Sequence, residues 1–146
     1  MLRRRLLVIL FCLGLVGCSG YTPPRFEPAL YPNSHAAYDL TLFWRLDRTG
    51  NGFTVAGFVK NTLYAEIKGL EVTATLLDGS GKRLGEDTFL FFPRQIAMDD
   101  LVPFNLNLRL PAGTHPVTIR FFYRYRVSEE RIGGSPYSQT FDAELR

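Results

Sequence analysis

Alternation of apolar and polar residues is the feature of this sequence that most restricts its fold. It is clearest over residues 117–127, where Val, Ile, Phe and Tyr side chains on one parity alternate with Thr, Arg and Phe on the other. Successive side chains of an extended chain point to opposite faces, so this period predicts a strand with one buried side. The pattern recurs from Tyr38 to the C-terminus and helix signals are scarce, which predicts an all-β domain.

Turn-forming residues divide the alternating region into short segments. Glycine-rich or proline-rich stretches at 50–52, 78–81 and 111–113 favour chain reversals between them. The hydrophobic content of 46% is enough to build one core. Seven strands separated by turns predict a two-sheet sandwich with Greek-key connections. The predicted strands are 38–47, 53–60, 70–77, 82–92, 104–110, 117–127 and 137–145. In the first of them, the parity places Tyr38 on the buried side and Asp39 on the solvent side.

Three short patterns between residues 53 and 110 carry a family resemblance. Residues 57–61 read Gly-Phe-Val-Lys-Asn, residues 74–78 read Ala-Thr-Leu-Leu-Asp before Gly81-Lys82, and Pro103-Phe104 opens an alternating leucine stretch. These pieces resemble a strand end, a hairpin and a return strand of FxLYD-type and late-embryogenesis-abundant-like sandwiches. Leu77 stands where Tyr is typical, and residues 94–102 replace the usual turn. The resemblance implies an immunoglobulin-like fold and no single activity.

The first 17 residues have the form of a secretory signal. Three arginines precede the apolar stretch Leu6–Val16, whose eleven residues are fewer than the roughly 20 that a spanning helix needs. The stretch ends in Leu15-Val16-Gly17-Cys18, which resembles the lipobox of bacterial lipoproteins. The resemblance implies removal of residues 1–17 and acylation of Cys18. An ordinary signal peptide with a coincidental cysteine is the alternative.

Charge and cysteine usage change once the leader is removed. The full chain has a net charge of +3, but three of its 17 basic residues are leader arginines. Without them, 14 basic residues balance 14 acidic ones, so we predict no nucleic-acid partner. Cys12 would leave with the leader and Cys18 would be acylated, which leaves no disulfide or thiol metal site. In Gram-negative lipoproteins, Ser19 after the cysteine is associated with sorting to the outer membrane. We therefore predict a lipid-anchored envelope protein, facing the periplasm from that membrane.

Residues 18–37 are interpreted as the lipidated cysteine and a proline-rich linker, followed by the sandwich domain at 38–146. The linker contains four prolines and no helix or strand period, which predicts a partly polyproline II spacer. Its nineteen residues after Cys18 would reach up to about 60 Å. The competing interpretation is that Tyr21, Phe26 and Tyr31 dock on the domain or on a partner.

The chemistry-bearing residues match no catalytic or cofactor pattern. Gly79-Ser80-Gly81-Lys82 lacks the full phosphate-loop motif and joins two predicted strands. His35 in the linker and His115 in a turn fit no triad or metal-ligand spacing, so both are predicted to be solvated. Adjacent acidic pairs, such as Asp99 and Asp100, are more typical of solvated loops than of paired catalytic carboxylates. We predict a non-enzyme with no cofactor and no metal.

The outward-facing residues of the predicted strand 117–127 form one candidate binding surface. They include the row Arg120, Phe122, Arg124 and Arg126. Guanidinium groups around an aromatic ring could bind phosphate or carboxylate groups of lipopolysaccharide, a glycan or an acidic protein. The alternative is that the row forms cross-strand ion pairs within its own sheet.

The function predicted from the sequence is a membrane-anchored, non-catalytic binding or scaffolding module. Its partner would be another envelope component, protein or glycan. The alternative is a ligand-binding or assembly-factor lipoprotein for an exported polymer or an outer-membrane protein.

Overall fold

The structure, a computed structural model, describes residues 25–91, 95–128 and 136–145. The predicted leader and Cys18 lie outside these residues. The described chain forms nine β-strands. They are β1 (Asn33–Ala36), β2 (Leu40–Thr49), β3 (Gly52–Asn61), β4 (Ile67–Leu77), β5 (Arg83–Leu90), β6 (Gln95–Ile96), β7 (Leu101–Arg109), β8 (Thr118–Val127) and β9 (Tyr137–Glu144). Over these residues, no helix is both long and apolar enough to cross a bilayer.

The strands form two antiparallel sheets. Sheet A has the order β1-β2-β3-β7, and sheet B has the order β5-β4-β8-β9, with β6 pairing with the start of β4. The chain crosses from one sheet to the other after β3, after β6 and after β7. This Greek-key course confirms the prediction of an all-β, immunoglobulin-like sandwich. Seven of the strands match predicted ones, whereas the short β1 and β6 were not predicted.

The core lies between the sheets and follows the alternation. In β8, every second residue from Ile119 to Tyr125 is buried, and the residues between them are exposed. The inward residues of β2 and β7 are buried in the same way. Trp44 of β2 meets Phe121 of β8 with 4.8 Å between ring centroids, which joins the two sheets. Burial of such large apolar side chains is the dominant stabilising contribution to the fold.

The two edges of the sandwich are closed by different contacts. At one edge, the Asp87 carboxylate of β5 accepts the backbone N–H of Asn107 of β7 at 2.7 Å. Gly85 permits this approach, because a Cβ there would overlap a carbonyl oxygen of β7. At the other edge, the His35 ring of β1 stacks on Phe141 of β9 with 3.7 Å between centroids. The prediction of a solvated His35 was therefore wrong.

Part of the predicted linker is packed on the outer face of sheet A. We call residues 25–32 the strap. The ring of Phe26 lies 5.0 Å from that of Phe43, and the ring of Tyr31 lies 5.1 Å from that of Phe58. Phe43 and Phe58 are cross-strand partners, so their outward apolar rings need a cover, which the strap provides. The free-spacer interpretation was wrong for these residues, and the competing interpretation is confirmed for Phe26 and Tyr31, whereas Tyr21 lies outside the described residues. β1 extends the sandwich to residues before 38.

The first predicted strand begins two residues too early. Tyr38 is 71% exposed and Asp39 is 1% exposed, the reverse of their predicted sides. Both lie in the bend between β1 and β2, and β2 begins only at Leu40. The two-residue period applies only within an extended strand, so it does not determine where residues in a bend point.

Candidate functional site

The outer face of sheet B carries the predicted arginine row. The strand register aligns its residues in rows across the sheet. In the order β5, β4, β8, β9, the rows are Glu86, Thr75, Arg120 and Asp142; then Thr88, Thr73, Phe122 and Thr140; then Leu90, Glu71, Arg124 and Ser138. The face is therefore polar and mixed in charge, with one aromatic residue near its centre.

Two of the three arginines form ion pairs with carboxylates on neighbouring strands. Arg120 donates to both oxygens of Asp142 at 2.7 Å each. Arg124 donates to the two oxygens of Glu71 at 2.6 and 2.9 Å. The hydrogen bonds from Arg120 lower the pKa of Asp142 below its usual value. These two arginines follow the alternative interpretation of the row, in which cross-strand pairs satisfy the guanidinium groups.

The other two residues of the row remain accessible. Phe122 is 36% exposed and lies between threonines of β4 and β9. On the far side of Thr73, the hydroxyls of Thr73 and Thr88 lie 2.8 Å apart. Arg126 lies opposite Lys68 of β4, which places two cations directly across from one another. In the described part of the chain, no carboxylate lies within ion-pair distance of either cation.

A bulge in β4 opens a cavity beside this pair of cations. Gly69 and Leu70 together stand opposite Tyr125, so the pairing shifts between Lys68 and Glu71. Gly69 has φ +61°, a left-handed conformation that glycine adopts without strain and that is typical of such bulges. The cavity has a volume of about 600 Å³. We call it the bulge groove; it is lined by Lys68, Gly69, Glu71, Gln95, Arg124, Tyr125, Arg126 and Pro136.

A second polar network lies between the sheets. The Asp39 carboxylate accepts hydrogen bonds from the hydroxyls of Tyr123 at 2.8 Å and Tyr125 at 2.9 Å. Gln139 of β9 donates to it at 3.4 Å. Burial, and then the hydrogen bond to Asp39, raise the pKa of each of the two tyrosines above its ordinary value. The network links the bend between β1 and β2 to strands β8 and β9 of sheet B.

The sequence analysis missed Asp39 because its local parity indicated a solvent-facing residue. A different signal was available in β8, where Tyr123 and Tyr125 occupy the buried parity. A buried tyrosine usually needs a hydrogen-bond partner for its hydroxyl, so an acceptor inside the domain was to be expected. The sequence pattern does not indicate which distant residue supplies it.

The other candidate residues are not brought together. His35 is at the β1 edge, and His115 is exposed in the segment before β8. Within the three described ranges, no group of three or more His, Cys, Asp or Glu could hold a metal ion. Cys18, the predicted lipidation site, lies outside the described residues, so its acylation stays a prediction.

Comparisons with known proteins provide no family assignment. No protein-family model matches the sequence, and no curated protein sequence matches it. The fold is similar to that of the GAE domain of GGA2p from Saccharomyces cerevisiae, with 11% identity, a TM-score of 0.45 and coverage of 77% of this chain and 94% of that one. It is also similar to a β-glucuronidase of glycoside hydrolase family 2, with 12% identity, a TM-score of 0.43 and coverage of 71% and 11%. The FxLYD-type resemblance stays a prediction.

Proposed function

We propose that this protein is a lipid-anchored, non-catalytic binding module of the cell envelope. Its acylated Cys18 would hold it to the outer membrane, facing the periplasm, and its sandwich would bind another envelope component, protein or glycan. The lipobox-like residues 15–18 support the anchor. The polar outer face of sheet B supports the binding role, because it offers an exposed aromatic ring together with cations, of which Lys68 and Arg126 have no carboxylate partner among the described residues.

The main observation behind this proposal is that the strap packs on the outer face of sheet A, whereas the outer face of sheet B is exposed to solvent. The strap packs on sheet A, so the chain reaches the domain on that side. Six residues lie between Cys18 and Arg25, so the Cα atoms of these two residues are at most about 25 Å apart. The domain would then stay close to the lipid, with the outer face of sheet B on the opposite side of the sandwich. That face is the one we assign to a partner.

Metabolic labelling with palmitate tests the anchor. The expected result is label on the wild-type protein and none on the Cys18→Ala variant. Label that persists in the variant would overturn the assignment of Cys18.

Site-specific photocrosslinking in intact membranes tests the partner face. A photoreactive residue replaces Phe122 at the centre of the proposed face. The matched control replaces Asn105, which is exposed on the outer face of sheet A. We expect a discrete adduct from position 122 and none from position 105. Adducts of equal yield from both positions, or from neither, would contradict the proposal.

The bulge groove favours a second candidate, a lipoprotein that binds a small ligand. Its volume of about 600 Å³ lies within the range of ordinary small-molecule sites. A ligand that binds only the folded state raises the melting temperature, whereas a scaffold without a ligand site shows no such rise. Thermal unfolding in the presence of defined ligands therefore separates the two candidates.

A further inference from the structure

On the outer face of sheet B, one pair of opposite residues departs from the pairing of cations with carboxylates. Arg120 and Arg124 each face a carboxylate across the strands, but Lys68 and Arg126 face one another. Like charges directly opposite on neighbouring strands destabilise a sheet. A bound anion between the two cations would remove this repulsion.

The bulge places this exception in a cavity. Because Gly69 interrupts the regular pairing, Lys68 and Arg126 line the groove together with Gln95. Glu71 also lines it, but its two oxygens already accept hydrogen bonds from Arg124. Among the described residues, the groove therefore presents two cations without a carboxylate partner, and Gln95 offers an amide donor beside them. Tyr125 and Pro136 add less polar lining beside them.

The two cations indicate the charge of the ligand. A carboxylate carries one negative charge and would leave one of the two cations uncompensated. A phosphate monoester carries nearly two charges at pH 7 and offers three acceptor oxygens. Guanidinium binds phosphate in a bidentate manner, and lysine binds it as a point charge. The opposed pair fits a phosphate better than a carboxylate.

We propose that the bulge groove binds a phosphate monoester group, with Lys68 and Arg126 on its oxygens and Gln95 as an additional donor. The group belongs to a soluble phosphorylated compound or to a lipid headgroup, and because the groove is on the side of the sandwich away from the proposed anchor, that lipid would not belong to the anchoring membrane. The proposal names a ligand chemistry for the second candidate, the ligand-binding lipoprotein, and rests on that function for its cellular setting. Palmitate labelling does not depend on the groove, so failure of the anchor and failure of the groove give separate results.

Calorimetric titration of the full-length lipidated protein in nonionic detergent tests the proposal. The probes are inorganic phosphate, glucose 6-phosphate, sulfate and acetate at constant ionic strength. We expect saturable phosphate binding that Lys68→Gln and Arg126→Gln each weaken about tenfold, the usual effect of losing one charge-assisted contact. Arg48→Gln is the matched control, because it removes one exposed charge from sheet A and should leave the affinity unchanged.

The pH dependence gives a second readout. The second pKa of a phosphate monoester is about 6, so lowering the pH from 7.5 to 5 should weaken glucose 6-phosphate binding about tenfold. Sulfate remains a dianion over this range, so its affinity should not change. The three substituted residues are exposed, so the variants should fold, and Lys68→Gln without ligand should melt no lower than the wild type.

A water-soluble, short-chain phosphatidic acid added in the same detergent separates the two sources of phosphate, because the proposed acyl anchor would insert the protein into any vesicle. Binding of glucose 6-phosphate that depends on Lys68 indicates a soluble ligand. Binding of the short-chain phosphatidic acid alone, with the same dependence on Lys68, indicates a headgroup. The proposal is overturned by the absence of saturable binding to all phosphate probes, by acetate binding as tightly as phosphate, or by an equal loss in Arg48→Gln.

Discussion

The two faces of β8 place charged and polar groups in opposite surroundings. On the inner face, Tyr123 and Tyr125 donate hydrogen bonds to the buried carboxylate of Asp39. On the outer face, Arg120 and Arg124 pair with carboxylates of neighbouring strands that water also reaches. Alternate residues of one strand thus serve one network that links the two sheets and another that stays within sheet B.

This comparison shows how burial determines the energy of a polar contact. Leaving a buried donor without a partner costs about 1–3 kcal/mol, because the group loses its hydration without compensation. Exposed ion pairs contribute little, because water competes for both partners and salt screens them. We therefore expect the inner network to stabilise the fold and the outer pairs to shape the surface.

The largest effect should follow substitution of Asp39. Asp39→Ala leaves two buried hydroxyls without their acceptor, and we expect it to lower the free energy of unfolding by about 3–5 kcal/mol, as measured by urea denaturation. Asp142→Ala on the outer face is the matched control and should have only a small effect. Replacing both tyrosines with Phe in the Asp39→Ala background should restore part of the loss. Equal effects of the two aspartate substitutions would remove the distinction between the faces.

A second test applies one substitution to the outer faces of both sheets. Phe58 is 3% exposed beneath the strap, so Phe58→Ala should cost about 3 kcal/mol. Phe122 is 36% exposed, so Phe122→Ala should cost less than about 1 kcal/mol. Chemical denaturation of both variants measures the difference. Similar losses would mean that the strap does not protect the outer face of sheet A in solution.

Alkaline pH should act on the inner face. The pKa of each of Tyr123 and Tyr125 is raised in the folded state, so above pH 10 the unfolded chain loses these protons while the folded protein keeps them. Stability is therefore complete below about pH 10 and falls above it, by about 2.7 kcal/mol per pH unit for two protons. Unfolding midpoints between pH 9 and 12 measure this slope. The Tyr123→Phe, Tyr125→Phe double variant should show a shallower decline, and an unchanged slope would contradict the assignment.

Of the four tests, acidification should change the stability of the protein least, and it should act through the Arg120–Asp142 pair on the outer face. Arg120 lowers the pKa of Asp142 in the folded state, so the stabilisation from this pair is present above the ordinary carboxyl pKa and is lost as the pH falls through the lowered value. Since both side chains are exposed, Arg120→Gln should change the thermal midpoint at pH 7 only slightly. The difference from wild type should shrink as the pH falls through the lowered pKa of Asp142. A large change at pH 7 would indicate that this pair contributes more than an exposed pair should.

The sequence predicted the seven longer strands because alternation is a local property of the chain. It did not predict β1, whose four residues are exposed or only half-buried, or β6, which has two residues. It favoured a free spacer over docking of Phe26 and Tyr31, because these residues pack on rings of β2 and β3 that are distant along the chain. In the candidate site, the arginine row was identified, whereas the groove depends on a bulge and on β6.

By itself, the amino-acid sequence determined which residues of β8 share a face, because each residue in a strand reverses the direction of the side chain. It also determined that the inner face would need an acceptor for its tyrosines. Only the tertiary structure decided that this acceptor is Asp39, 84 residues before Tyr123, and that Lys68 stands opposite Arg126. Such pairings depend on how the chain crosses between sheets and on the strand register, which the packing of the whole core determines.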